Sequence, residues 1–118
     1  MKPNTRSFYV QAVGRALEAI ATHLDDALEL EALAASAGLS PFHFHRVFRG
    51  MVGETPMELA RRLRLERAAF QLVSTELSVT QLAFAAGYET HEAFTRAFRA
   101  HYGLSPSDYR RRREARIV

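Results

Sequence analysis

The chain repeats itself, and that repeat is what most limits how it can fold. Leu33, Ala34, Ala37 and Gly38 return 49 positions later as Leu82, Ala83, Ala86 and Gly87. After one inserted residue, Phe44, Arg46, Phe48, Arg49, Gly53 and Pro56 return 50 positions later as Phe94, Arg96, Phe98, Arg99, Gly103 and Pro106. An arginine pair follows in each copy, Arg61–Arg62 and Arg111–Arg112. Two units are too few for a solenoid, which needs three or more to bury its ends. A chain of 118 residues has room for one ordinary domain or two very small ones. The repeat is therefore a duplicated supersecondary motif inside one small protein.

Each copy reads as helix, short turn, helix. Leu30, Leu33, Ala34 and Ala37 follow i, i+3, i+4, i+7, one face of a helix. Gly38 suits the left-handed position just past its end. Ser40-Pro41 then supplies an N-cap and a proline in the first helical position. Phe44, Val47, Phe48 and Met51 repeat the helical spacing until Gly53 stops it. The second copy runs Val79, Leu82, Ala83, Ala86, then Gly87, Thr90 as cap, and Phe94, Ala97, Phe98. Ser78-x-x-Gln81 is a capping box for its first helix. So short a turn makes the two helices cross steeply, which is a helix-turn-helix.

The flanks are helical as well. Val10, Val13, Leu17, Ile20, Ala21 and Leu24 mark an amphipathic N-terminal helix. Thr55-Pro56-Met57-Glu58 is a capping box that opens a long helix to about Val73, read as a rigid strut between the copies. Ser105-Pro106-Ser107-Asp108 opens a short last helix through Tyr109. No stretch alternates as a strand does. The expected architecture is all-α with about seven helices. A first helix-turn-helix subdomain covers 7–54, a linker helix 55–74, a second subdomain 75–113 and a basic tail 114–118.

Composition narrows the functional classes. With no cysteine, disulfides, thiolate catalysis and Cys-ligated metals are excluded. No apolar run approaches the ~18 residues of a membrane span, and no signal-peptide core precedes the first helix. A soluble, cytoplasmic chain is expected. The net charge of +3 is uninformative until divided. Residues 1–35 carry three cations against five acids, and residues 36–118 carry thirteen arginines against eight acids. His43 and His45, two apart, lie about 200° apart on a helix and cannot chelate one ion. His23, His91 and His101 show no ligand spacing, so neither a metal nor a cofactor is expected. There is no phosphate-cradling glycine loop, nucleophile elbow or acid–base pair, so the chain does not read as an enzyme.

Removing the buried stripe from the second helix of each copy leaves the outward side chains. They are Phe42, His43, His45, Arg46 and Arg49 in the first, and His91, Glu92, Thr95, Arg96 and Arg99 in the second. A solvated face of an unrelated bundle would mix Lys, Glu and Gln; here arginines stand in register. Arg46 and Arg96 suit the O6/N7 edge of guanine, and Arg49 and Arg99, one turn on, suit phosphate oxygens. Phe42 has two readings, a staple packed beneath the motif or a contact to a thymine methyl or sugar. The run Arg110–Arg113 is either a phosphate clamp or a frayed basic tail.

These residues resemble the DNA-binding domain of AraC/XylS-type bacterial transcription regulators. Ser40-Pro41-Phe42-His43-Phe44-His45-Arg46-Val47-Phe48-Arg49 is similar to that family's first recognition helix. Val79 through Ala86-Gly87-Tyr88 to Phe94-Thr95-Arg96-Ala97-Phe98, closing in Gly103-Leu104-Ser105-Pro106-Ser107-Asp108-Tyr109-Arg110, is similar to its C-terminal signature. The likeness spans about residues 8–113. It implies seven helices, with both recognition helices entering successive major-groove segments of duplex DNA. It places base contacts at Phe42, His45, Arg46, His91, Glu92, Thr95 and Arg96. Phosphate contacts are expected at Ser40, His43, Arg49, Arg61, Thr90, Arg99, Arg110 and Arg111. Two residues depart from the pattern. Glu29 replaces a frequent serine cap of the second helix, and Glu92 puts a carboxylate in a groove-facing slot, where it either accepts from cytosine N4 or points away.

One monomer with two reading heads is the expected DNA-bound form, with RNA polymerase as a protein partner of an activator. A strut that mismatches the roughly 34–36 Å between successive grooves would require the duplex to bend, at a cost of about 1–6 kcal/mol. The rivals are a protein-interaction module docking RNA polymerase, and a small-molecule sensor with its ligand between the subdomains. A third possibility is the DNA-binding fragment of a longer ligand-sensing regulator. The Ser-Pro-Phe-His-Phe-His-Arg spelling near the chain start looks like members fused to a gyrase-inhibitor-like effector domain.

Overall fold

Every helix start in the second half of the chain is set by a hydroxyl cap, and the computed structural model shows how regular the resulting chain is. The structure describes residues 3–117. Among them lie seven helices and no strand: α1 (Pro3–Thr22), α2 (Leu30–Ser36), α3 (Pro41–Val52), α4 (Pro56–Ser74), α5 (Val79–Ala85), α6 (His91–Tyr102) and α7 (Pro106–Ile117). Two compact units divide the chain, one up to Arg61 and one from Arg62, so the division falls inside α4.

The turn of each helix-turn-helix is built the same way. Gly38 sits at φ 69° and Gly87 at φ 88°, left-handed angles that a side chain would strain. In the first copy Gly38 N–H donates to Ala35 O at 2.9 Å and Leu39 N–H to Ala34 O at 3.0 Å. In the second, Gly87 N–H donates to Phe84 O at 3.0 Å and Tyr88 N–H to Ala83 O at 3.1 Å. Both pairs form a Schellman closure, which satisfies the last carbonyls of α2 and α5. The next helix then begins on a hydroxyl. Ser40 accepts from the His43 N–H and Thr90 from the Ala93 N–H.

The other caps divide unequally. Thr55 and Glu58 form a reciprocal box at α4, with Thr55 N–H to Glu58 Oε1 at 3.0 Å and Glu58 N–H to Thr55 Oγ1 at 3.1 Å. Hydrogen bonds from the Thr55 backbone N–H and the Thr55 hydroxyl hold the Glu58 carboxyl below the usual carboxylate range. Ser78 and Gln81 form the same box at α5. At α2, however, Glu29 offers no side-chain cap. The side-chain acceptor that a serine would supply is missing there.

Each unit has its own apolar interior. In the first, Ala12, Val13, Ala16 and Ile20 of α1 are buried, as are Ala34, Ala37, Phe44 and Phe48, and α3 packs on α1 and α2. In the second, Leu65, Ala68, Ala69 and Leu72 of α4 close on Leu82, Ala83, Ala86, Phe94 and Phe98. Phe48 and Phe98, fifty apart, are both fully enclosed. Burying a phenylalanine fully contributes about 1.5–3 kcal/mol, so these anchors hold α3 and α6 firmly. Around Phe98 the second unit adds Tyr102 and Tyr109, with ring centroids at 4.6 and 5.3 Å. Burial pushes the Tyr102 phenol above its ordinary range.

The end of the chain differs from expectation. The sequence predicts a short helix at 105–109 and a tail over 114–118, but α7 continues to Ile117. Arginine is a good helix former, and the Arg113 guanidinium lies 5.1 Å from the Tyr109 ring one turn before it. Val118 lies outside the described residues.

Candidate nucleic-acid interface

On α3, burial of Phe44 and Phe48 leaves the opposite side facing out. Phe42 is 72% exposed, which removes the reading that it packs beneath the motif. The Arg46 guanidinium lies 5.8 Å from the Phe42 ring, an i, i+4 cation–π pair that limits the wandering of a long side chain. Arg49 is exposed one turn further on, and His45 is half-buried. Ser40 is already engaged as the cap of α3. Arg61 is exposed on α4.

His43 is exposed, and its ring is held from the side. Its Nε2 lies 3.2 Å from the Tyr9 hydroxyl of α1, and the two rings meet edge to face at 5.7 Å. One imidazole nitrogen is thus taken by Tyr9, leaving Nδ1 for an outside partner. Nothing in the local sequence around His43 signals this partner, 34 residues away.

On α6 the corresponding face is a shallow concave surface lined by His91, Glu92, Thr95, Arg96, Arg99 and Ala100. It brings all four residues expected to read bases in this copy together with Arg99. Phe42 has Glu92 as its counterpart, so Arg96 lacks the ring on which Arg46 rests. Thr90 is the cap, its hydroxyl accepting from Ala93 N–H at 3.0 Å. Thr95 behaves differently from its neighbours. Its hydroxyl is buried and has no hydrogen-bond partner among the described residues. A polar group in that state costs stability, and turning it outward breaks no existing bond.

Two of the expected phosphate contacts have other occupations. The Arg110 guanidinium donates to the carbonyls of Leu72 at 2.7 Å, Leu77 at 2.6 Å and Thr75 at 3.4 Å. It closes the C-terminal end of α4, and a phosphate contact would have to break that closure. Arg111 pairs with Asp108 on the exposed side of α7. Of the run Arg110–Arg113, the first is therefore structural and the fourth rests on Tyr109.

Among the described residues, no three histidine or carboxylate side chains are grouped to hold a metal ion. Among them, too, no helix is long and apolar enough to cross a membrane.

Comparison with known proteins bears directly on this surface. Residues 33–112 match the family model described as a helix-turn-helix domain, which includes both copies of the repeat. The regulatory protein SoxS of Salmonella typhimurium is 34% identical over 102 residues, spanning 86% of this chain and 95% of SoxS. The MmsAB operon regulatory protein of Pseudomonas aeruginosa is 42% identical over 90 residues, but there the chain spans only 29% of the relative's length. An AraC-type DNA-binding transcriptional regulator of Chromobacterium violaceum superposes with a TM-score of 0.78 at 25% identity, covering 87% of this chain and 92% of that one. The DNA-binding domain of the global transcriptional factor AdpA, solved in complex with a target DNA, superposes with a TM-score of 0.76 at 30% identity, covering 88% and 94%. The chain belongs to the AraC-type family of helix-turn-helix transcription regulators and is a DNA-binding domain of that family, not an enzyme.

Proposed function

We propose that the protein binds specific duplex sites by placing α3 and α6 in successive major-groove segments on one face of the DNA. The observation that carries this reading is the pair of identically closed helices that present Arg46/Arg49 and Arg96/Arg99 outward at matching positions. A helix about 10–12 Å across fits a major groove about 12 Å wide. In the first head Phe42, His45 and Arg46 read base edges, with Phe42 against a thymine methyl and Arg46 forked on guanine. In the second, His91, Glu92, Thr95 and Arg96 do so, Glu92 accepting from a cytosine amino group. Ser40, His43, Arg49, Arg61, Thr90, Arg99 and Arg111 hold phosphates and fix the register. Arg110 remains at the end of α4.

One copy of the chain occupies one site, because the duplication already supplies two heads. The protein acts at the bacterial nucleoid, with RNA polymerase as its protein partner there. Phe70 and Phe84, large apolar side chains left in water outside the reading faces, support a further protein contact.

In vitro selection of a preferred duplex, followed by gel-shift titration, tests the reading. Arg46→Ala and Arg96→Ala are each expected to weaken the selected site by about 1–3 kcal/mol, and each to relax preference at one base pair. If both variants bind as the parent does, the two-headed reading is wrong.

A further inference from the structure

The first head has a flanking neighbour in α1. Arg6 and Tyr9 of α1 line one open groove with Arg46, Val47, Gly50 and Met51 of α3. Tyr9 fixes this arrangement through its hydroxyl and its ring, both set against His43. Arg6 lies one turn before Tyr9 on the same face of α1. It is exposed and has no ion-pair or hydrogen-bond partner among the described residues. The space beside Gly50 is open, since a Cβ there would meet nothing within 4 Å.

The geometry points to a role for this edge. A helix seated in the major groove fills most of its width, so an element packed along its flank lies over the bordering phosphates. Arg49 leaves α3 about 60° round from Arg46 on one side, and Gly50 about 40° round on the other, at ~100° per residue. Arg6 stands on the Gly50 side, opposite Arg49. The charge around it agrees. The acidic balance of residues 1–35 comes wholly from Glu18 onward, and the stretch before it holds Lys2, Arg6 and Arg15 with no acid.

We infer that α1 supplies a DNA-backbone contact outside the helix-turn-helix motifs, in which Arg6 neutralises a phosphate on the strand bordering the groove that α3 occupies. The inference rests on the duplex reading above. It makes the first head gripped from both flanks, by Arg49 on one and Arg6 on the other. Such a contact strengthens binding without regard to sequence.

Salt titrations with the full chain, on its selected duplex and on a random duplex of equal length, test this contact. For a single phosphate the slope of log K against log salt changes by about 0.9, which is roughly eightfold in affinity between 0.1 and 1 M salt. Arg6→Ala is expected to flatten the slope by that amount on both duplexes, and Arg6→Lys to restore it. Arg15→Ala, half a turn away round α1, is expected to leave the slope unchanged. Circular dichroism should show the same melting for all three variants, since both arginines are exposed.

An unchanged slope for Arg6→Ala, with a steep slope for the parent, overturns the contact and leaves the duplex reading intact. A loss confined to the selected duplex overturns it in favour of base reading. An equal loss from Arg15→Ala overturns it in favour of bulk charge. A parent slope of zero overturns the duplex reading itself.

Discussion

Arginines that look alike in the sequence have separate jobs once their partners are known. Arg46 rests on Phe42 and faces outward, while Arg110 spends its guanidinium on three backbone carbonyls at and just past the end of α4. Hydrogen bonds to a charged donor contribute about 1.5–3 kcal/mol each at most, and these share one side chain. Arg110→Ala is therefore expected to lower unfolding stability by about 2–3 kcal/mol. Arg110→Lys should recover only part of that, because an ammonium cannot reproduce the planar fork. Arg111→Ala, which removes an exposed pair with Asp108, should cost less than about 1 kcal/mol. Urea titration of the three variants checks the ranking, and equal stability for Arg110→Ala and Arg111→Ala would refute it.

Helix ends are where local chemistry was most readable. Gly38, Ser40, Gly87, Thr90 and the Thr55 and Ser78 boxes are signals spanning three or four residues, and each sits where its spacing implies. Contacts that join distant stretches left no such trace. Tyr9 meets His43 across 34 positions, and Arg110 reaches carbonyls 33 to 38 positions back. The length of α7 was hidden for another reason: an arginine run has no apolar period, so it resembles a tail although its residues favour helix. Among the residues proposed to read bases, the outward placement of Arg46 was legible from register in the repeat, but the enclosed hydroxyl of Thr95 was not. The uncapped start of α2 gives a direct test at this scale. Glu29→Ser supplies the missing acceptor and is expected to raise stability by about 0.5–1 kcal/mol, less than a full cap because Glu29 already favours the helix dipole. A melting temperature equal to or below the parent's would count against that account.

The molecule as a whole carries two interiors rather than one. Leu59 and Ala60 of α4 are buried in the unit that ends at Arg61, and Leu65, Ala68, Ala69 and Leu72 in the unit that follows. Truncating a fully buried phenylalanine costs about 3–5 kcal/mol. Phe98→Ala is therefore expected to speed amide exchange through α5, α6 and α7 well before it does so in α1, α2 and α3. Uniform loss of protection along the chain would show instead that the two interiors open as one. The two Schellman turns carry a consequence beyond stability. α3 and α6 are each clamped at the entrance by a left-handed glycine and a hydroxyl cap, at the exit by Gly53 or Gly103, and from beneath by a phenylalanine pair. The instructions for folding are thus written on caps, left-handed glycines and enclosed phenylalanines, and Phe42, His45, Arg46, His91, Glu92 and Arg96, proposed to read bases, are not among them. On the proposed reading, either head can acquire a new vocabulary with little change to the scaffold, and the two can diverge from each other while remaining copies.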